Sequence, residues 1–109
     1  MLSLQAVPVP GKDIFKLLRA RVRNANTWEW ANKARTRLRH VQRRKGGHIR
    51  IANAAGVLVA SVHPKSADDS FYLAEKFTGR LVAWFADDLS AINVQFTPES
   101  VAKGGRRTR

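Results

Sequence analysis

The sequence predicts an α+β domain: a small two-layer fold with two N-terminal basic helices, a β-hairpin, a long amphipathic helix and a final strand returning to the sheet. Three observations predict it. Apolar residues recur at helical spacing between residues 13 and 44, then switch to strict alternation after Gly46-Gly47. Helical spacing returns from about residue 66 to 86, and a last alternation follows at 92–96. Helices with one apolar face and strands with one apolar face bury those faces against each other, which makes two layers.

Taken in order, residues 1–11 read as an extended N-terminal arm, because Pro8, Pro10 and Gly11 forbid a regular helix. Asp13 can cap a helix over 13–24 with Ile14, Leu17, Leu18 and Val22 on one face. Lys12, Lys16, Arg19 and Arg23 fall on another face, directed to solvent or a ligand. Asn26 and Glu29 have the spacing of a capping pair, which predicts a second helix from about 27 to 44 closed by Gly46. Trp30, Ala31, Ala34, Leu38 and Val41 would form its apolar stripe. A rival pattern exists in the same stretch. Lys33, Arg35, Arg37 and Arg39 alternate with Ala34, Thr36 and Leu38 at the period of a strand, with Gly46-Gly47 as a hairpin turn. Helix propensity and the Asn26 cap favour the helix.

Ile49 and Ile51 alternate with His48 and Arg50, Asn53-Ala54-Ala55-Gly56 is a turn, and Val57–Val62 is a β-branched run, so this segment is a hairpin ended by Pro64. Ser66, Asp68 and Asp69 open a long helix whose apolar face carries Leu73, Ala74, Phe77, Leu81, Trp84 and Phe85. Gly79 inside it suggests a close backbone contact. Ile92, Val94 and Phe96 define the last strand. The organisation is therefore an arm (1–11), one domain (12–98) and a flexible basic tail (99–109).

The chain has 109 residues and is 44% hydrophobic, enough for one modest core. It has no cysteine, which removes disulfides, cysteine-zinc sites and thiol nucleophiles. No apolar run reaches the ~18 residues of a membrane span, so no membrane partner is expected. The N-terminus lacks a basic segment before its apolar residues, so no signal peptide is expected and the placement is cytoplasmic. The Arg/Lys-rich stretch at 12–23 keeps an organellar matrix open as an alternative.

Net charge is +12, and it is segregated. Residues 12–50 hold 13 Lys/Arg against Asp13 and Glu29 alone. A solvated surface kept for solubility would mix the signs, whereas a one-sign field attracts a polyanion. The expected partner is nucleic acid, bound through its phosphates by Lys33, Arg35, Arg37, Arg39, Arg43, Arg44, Lys45 and Arg50, with Arg106 and Arg107 adding affinity from the tail. RNA is favoured over DNA because no helix-turn-helix or zinc-finger signature occurs. Trp28 is a candidate for stacking on a base, against its reading as a core residue. Other partners stay open: an acidic protein, or a second copy docking on helix 70–86.

The catalytic repertoire is narrow. His40, His48 and His63 are the only side chains of ordinary neutral-range pKa, and their spacing matches no metal motif. No metal or cofactor is expected. Neither a Walker loop nor a dinucleotide fingerprint is present. His48 is the candidate catalytic residue: it follows two glycines, lies between Lys45 and Arg50, and points away from Ile49 and Ile51. A histidine so placed can take a proton from a ribose 2′-hydroxyl while the cations hold the phosphate.

Gly11-Lys12-Asp13-Ile14 at the first helix, Lys45-Gly46-Gly47-His48 entering a strand, and His63-Pro64 followed by a helix together resemble HicA-type toxins. These are small ribonucleases of toxin–antitoxin pairs with a double-stranded-RNA-binding-like fold of helix, three strands and helix. The resemblance covers residues 11–86 and implies that His48 is catalytic in a metal-independent ribonuclease. The chain departs from the family in three places: Gly47 stands where serine is usual, segment 26–44 is longer than the family's connection, and the strand at 92–96 has no counterpart.

Overall fold

The computed structural model describes residues 2–96. In chain order its elements are β1 (Leu2–Pro8), α1 (Ile14–Val22), β2 (Trp28–Trp30), β3 (Arg37–His40), β4 (Gly47–Ala54), β5 (Val57–Pro64), α2 (Ala67–Phe85) and β6 (Leu89–Phe96), with a 3₁₀ turn at Val41–Arg43. The strands form one antiparallel sheet in the order β2-β3-β4-β5-β1-β6. The α+β class and the two layers are as the periodicities predict.

Residues 2–8, expected as part of an extended arm outside the domain, are a strand of the sheet. Leu2, Leu4 and Ala6 are buried while Ser3 and Gln5 between them are not, and that alternation makes β1 a strand. It pairs with β5 on one side and β6 on the other, so this segment is integral to the domain. Pro8 closes the strand at a register shift against β6, and a bulge is a place where a sheet tolerates proline.

Helix α1 forms as predicted. The Asp13 carboxylate accepts from the Lys16 backbone N–H at 3.0 Å, and Ile14, Leu18 and Val22 are buried.

The second correction is larger. Residues 27–44 form no α-helix: they supply β2, β3 and the 3₁₀ turn. Trp28 and Trp30 pair with His40 and Leu38, so the inward set has period two. The connecting loop is built on Asn32, whose side-chain oxygen accepts from the backbone of Thr36 (3.1 Å) and Arg37 (3.0 Å). Arg35 sits in this loop at φ 58°, incompatible with a right-handed helix. Burying Trp28, Leu38 and His40 against the helices outweighs the few tenths of a kcal/mol per residue that propensity offers. Glu29 meets Arg39 and Arg44 instead of capping a helix with Asn26.

Gly46 ends no helix; Gly47 is the residue in the left-handed region, at φ 108°. A Cβ at Gly47 would run into the His63 carbonyl oxygen. The hairpin of β4 and β5 turns through Ala55-Gly56, at φ 55° and 89°, and Asn53 accepts from the Gly56 N–H at 2.8 Å. Ser66 caps α2 by accepting from the Asp69 N–H at 3.2 Å. A Cβ added at Gly79 would meet nothing within 4 Å beyond its own helix backbone, so the close contact predicted there is absent.

Both helices lie on one face of the sheet, over a core that joins Leu4, Ile14, Leu18, Ile49, Leu58 and Phe77. No helix among the described residues covers the opposite face. No helix among the described residues is long and apolar enough to cross a membrane.

Candidate nucleic-acid interface

The fold places cations on two surfaces. The first is a groove of about 450 Å³ between α1 and the β2–β3 loop, lined by Phe15, Lys16, Arg19, Ala20, Arg23 and Arg35. Spacings of three and four put Lys16, Arg19 and Arg23 on one side of α1. The left-handed turn at Arg35 brings the loop to meet them. Arg19 donates from Nη2 to the Ala34 carbonyl at 3.3 Å, tying loop to helix, and its guanidinium lies over the Phe15 ring at 5.3 Å. No carboxylate lines this groove among the described residues.

The second surface is the open face of the sheet. Arg37 on β3 stands directly opposite Arg50 on β4, and Arg50 opposite Ser61 on β5. Like charges opposed across a ladder repel, and neither arginine has an acidic partner among the described residues. One step along, His48 pairs with His63. Their rings stack with centroids 5.0 Å apart and planes 12° from parallel. Ser61 Oγ lies 3.1 Å from His63 Nε2. Partial burial pushes the His48 imidazole below its ordinary pKa, and the charges of His63, Arg37, Arg50 and Lys65 push the same way. His48 is therefore a neutral base at pH 7.

Other predicted cations are already engaged. Glu29 binds Arg39 at 2.7 Å and Arg44 at 2.8 Å. The Arg44 hydrogen bond, with Arg39 adding to it against a desolvation cost, holds the Glu29 carboxyl below its usual range. Arg43 binds Asp69 at 2.9 Å and covers the Tyr72 ring at 4.1 Å. The Ser66 hydroxyl first, then Arg43, lowers the Asp69 pKa. Lys33 and Lys45 are exposed, in the β2–β3 loop and the β3–β4 connection. Arg106 and Arg107 lie outside the described residues.

Trp28 does not face solvent. It is 2% exposed and packs edge-on against His40 (4.9 Å) and Phe77 (5.6 Å), so stacking on a base is replaced by a core role. Among the described residues no group of three His, Asp or Glu side chains gathers in the manner of a metal site.

The predicted set thus divides. Arg37 and Arg50 are brought together on the open face, Arg35 joins α1, and Arg39, Arg43 and Arg44 are tied to acids. Lys16, Arg19 and Arg23 belong with Arg35, and His63 with His48; neither grouping was in the predicted set. The first had a signal in the helical spacing. The second follows from the hairpin register once the turn is fixed at Ala55-Gly56. No family model, curated protein or solved structure matches the chain.

Proposed function

We propose that this is a small nucleic-acid-binding protein that neutralises phosphates and prefers RNA. The observation that carries this reading is the convergence of Lys16, Arg19, Arg23 and Arg35 on one groove without a carboxylate among the described residues. Four cations at one groove repel each other, and a phosphate backbone laid along them relieves that cost and releases its counterions. Arg37 and Arg50 extend the footprint onto the open face. RNA is preferred because the sequence carries no helix-turn-helix or zinc-finger signature and nothing among the described residues offers a major-groove reading helix of that kind.

Fluorescence anisotropy with labelled single-stranded RNA and duplex DNA at several salt concentrations tests it. Log K should fall linearly with log salt. Lys16→Gln, Arg23→Gln and Arg35→Gln should each reduce the slope by about one and weaken all sequences alike. Affinity independent of salt would refute the reading.

A ribonuclease reading is favoured by one observation, the placement of His63 beside His48 with Arg37 and Arg50 next to them. Neutral His48 would accept the 2′-hydroxyl proton as the 2′-oxygen attacks phosphorus and the bond from phosphorus to the 5′-oxygen breaks; the departing 5′-oxygen takes a proton from water and His48 releases its own to solvent, giving a 2′,3′-cyclic phosphate and a 5′-hydroxyl. This is also what resemblance to the HicA-type toxins implies. Incubation of RNA with the protein and its His48→Ala and His63→Ala variants decides it. Cleavage by the parent lost in both variants, with binding kept, supports it; intact RNA with the parent rejects it.

A further inference from the structure

We propose a second, separate anion site: a cleft between the β2–β3 edge and α2 that binds a single phosphate group. The cleft has a volume of about 280 Å³, and its walls include Trp28, His40, Gln42, Tyr72, Lys76 and Arg80. That is just below the usual range for small-molecule sites of about 300–1,000 Å³, so it takes a phosphate and little more.

The wall offers donors from Lys76, Arg80, His40 and Gln42. Lys76 and Arg80 lie one turn apart on α2, and neither has an acidic partner among the described residues. His40 Nδ1 accepts from the Gln42 backbone N–H at 3.2 Å. In the neutral ring the proton therefore sits on Nε2 as a donor. The Tyr72 hydroxyl spends its one proton on Gln42 Oε1 at 3.2 Å, so Tyr72 adds no donor of its own and Gln42 keeps its amide N–H₂. No carboxylate lines the cleft among the described residues.

The independent pointer is Trp28. It is 2% exposed, and its indole Nε1–H is buried with no hydrogen-bond partner among the described residues. An orphaned buried donor costs about 1–3 kcal/mol, and a folded chain rarely leaves one without purpose. Trp28 lines this cleft, and an anion held there by Lys76 and Arg80 is the acceptor assigned to its indole N–H. The phosphate could be carried by a small phosphomonoester or by the end of a nucleic acid, and the chemistry of recognition is the same for both.

The test is ¹H–¹⁵N NMR of the tryptophan indole resonances, with Trp28 assigned through Trp28→Phe and by through-bond correlation in the parent. Inorganic phosphate, titrated against chloride at constant ionic strength, should shift the Trp28 resonance saturably. Lys76→Gln and Arg80→Gln should each weaken binding about tenfold. Thermal shifts with phosphate should vanish in the Lys76→Gln/Arg80→Gln double variant. A Trp28 resonance that ignores phosphate, or one that responds equally in the double variant, overturns the site. Short oligonucleotides with and without a 5′-phosphate then identify the source. A response to the phosphorylated one alone assigns a nucleic-acid end, and no response to either assigns a free phosphomonoester. Equal responses to both overturn the assignment to a single terminal phosphate.

Discussion

His40 and His48 are held neutral chiefly by burial, and the charges around them push the same way: Lys76 and Arg43 at His40, and His63, Arg37, Arg50 and Lys65 at His48. Their native pKa values lie below the ordinary 6.5, so in acid the unfolded chain takes up protons that the native state resists. Stability is therefore complete above about pH 6.5 and falls as the pH drops toward the native values. A second loss follows at lower pH, when Glu29 and Asp69, both depressed by their partners, are protonated. Urea midpoints measured from neutral pH to about pH 5 should fall, and His48→Gln should flatten that slope. A midpoint constant over this window would contradict the burial argument. Gly47 is the other residue whose chemistry is fixed by its place. Its φ of 108° and the His63 carbonyl beneath it exclude any side chain. Gly47→Ser should cost about 3 kcal/mol, read as a lowered urea midpoint.

At the scale of elements, α2 shows what sequence periodicity can deliver. Its cap at Ser66 and its buried Leu73, Phe77, Leu81 and Phe85 were all legible, because nineteen residues repeat one signal. Gly79 was the misread residue. It is exposed on that helix with open space around it, so it carries only its conformational penalty. Gly79→Ala should stabilise the domain by about 1 kcal/mol, raising the urea midpoint without changing the slope. The stretch 27–44 failed for the opposite reason. Two short strands of three and four residues carry too few repeats to outvote the helix propensity of Arg and Ala. Their identity is set from outside, by the pairing of β3 with β4 and by core positions for Trp28 and Leu38. The rival alternation over Arg37 and Arg39 carried the right answer. What no periodicity could supply was the Asn32 loop and the turn at Arg35 that carries a cation to α1. The interface was thus legible as an excess of charge, and illegible as a groove.

For the whole molecule, the segregation of charge has a thermodynamic consequence. Cations outnumber acids by twelve in the chain, and the fold concentrates several at the α1 groove and at Arg37 and Arg50 on the open face. Folding draws these groups together, so mutual repulsion opposes the native state wherever no anion is bound. Salt screens that repulsion, since the Debye length shrinks from about 30 Å at 0.01 M to about 10 Å at 0.1 M. A protein stabilised by its ion pairs would lose stability over this range. Here the ion pairs among the described residues are those of Glu29 with Arg39 and Arg44, Asp69 with Arg43 and Asp88 with Lys12, whose cations are all partly or largely exposed, so each pair is worth little. The melting temperature should therefore rise with salt. Arg50→Thr removes one member of the opposed pair and places a β-branched residue on a strand face. It should raise stability by a few tenths to about 1 kcal/mol at low salt, with the gain shrinking as salt is added. A polyanion should produce the same stabilisation at low salt by binding the native state alone, and should produce less of it in Arg50→Thr. If salt lowered the melting temperature, the ion pairs would outweigh the clusters, and the unrelieved repulsion on which the nucleic-acid reading depends would be absent.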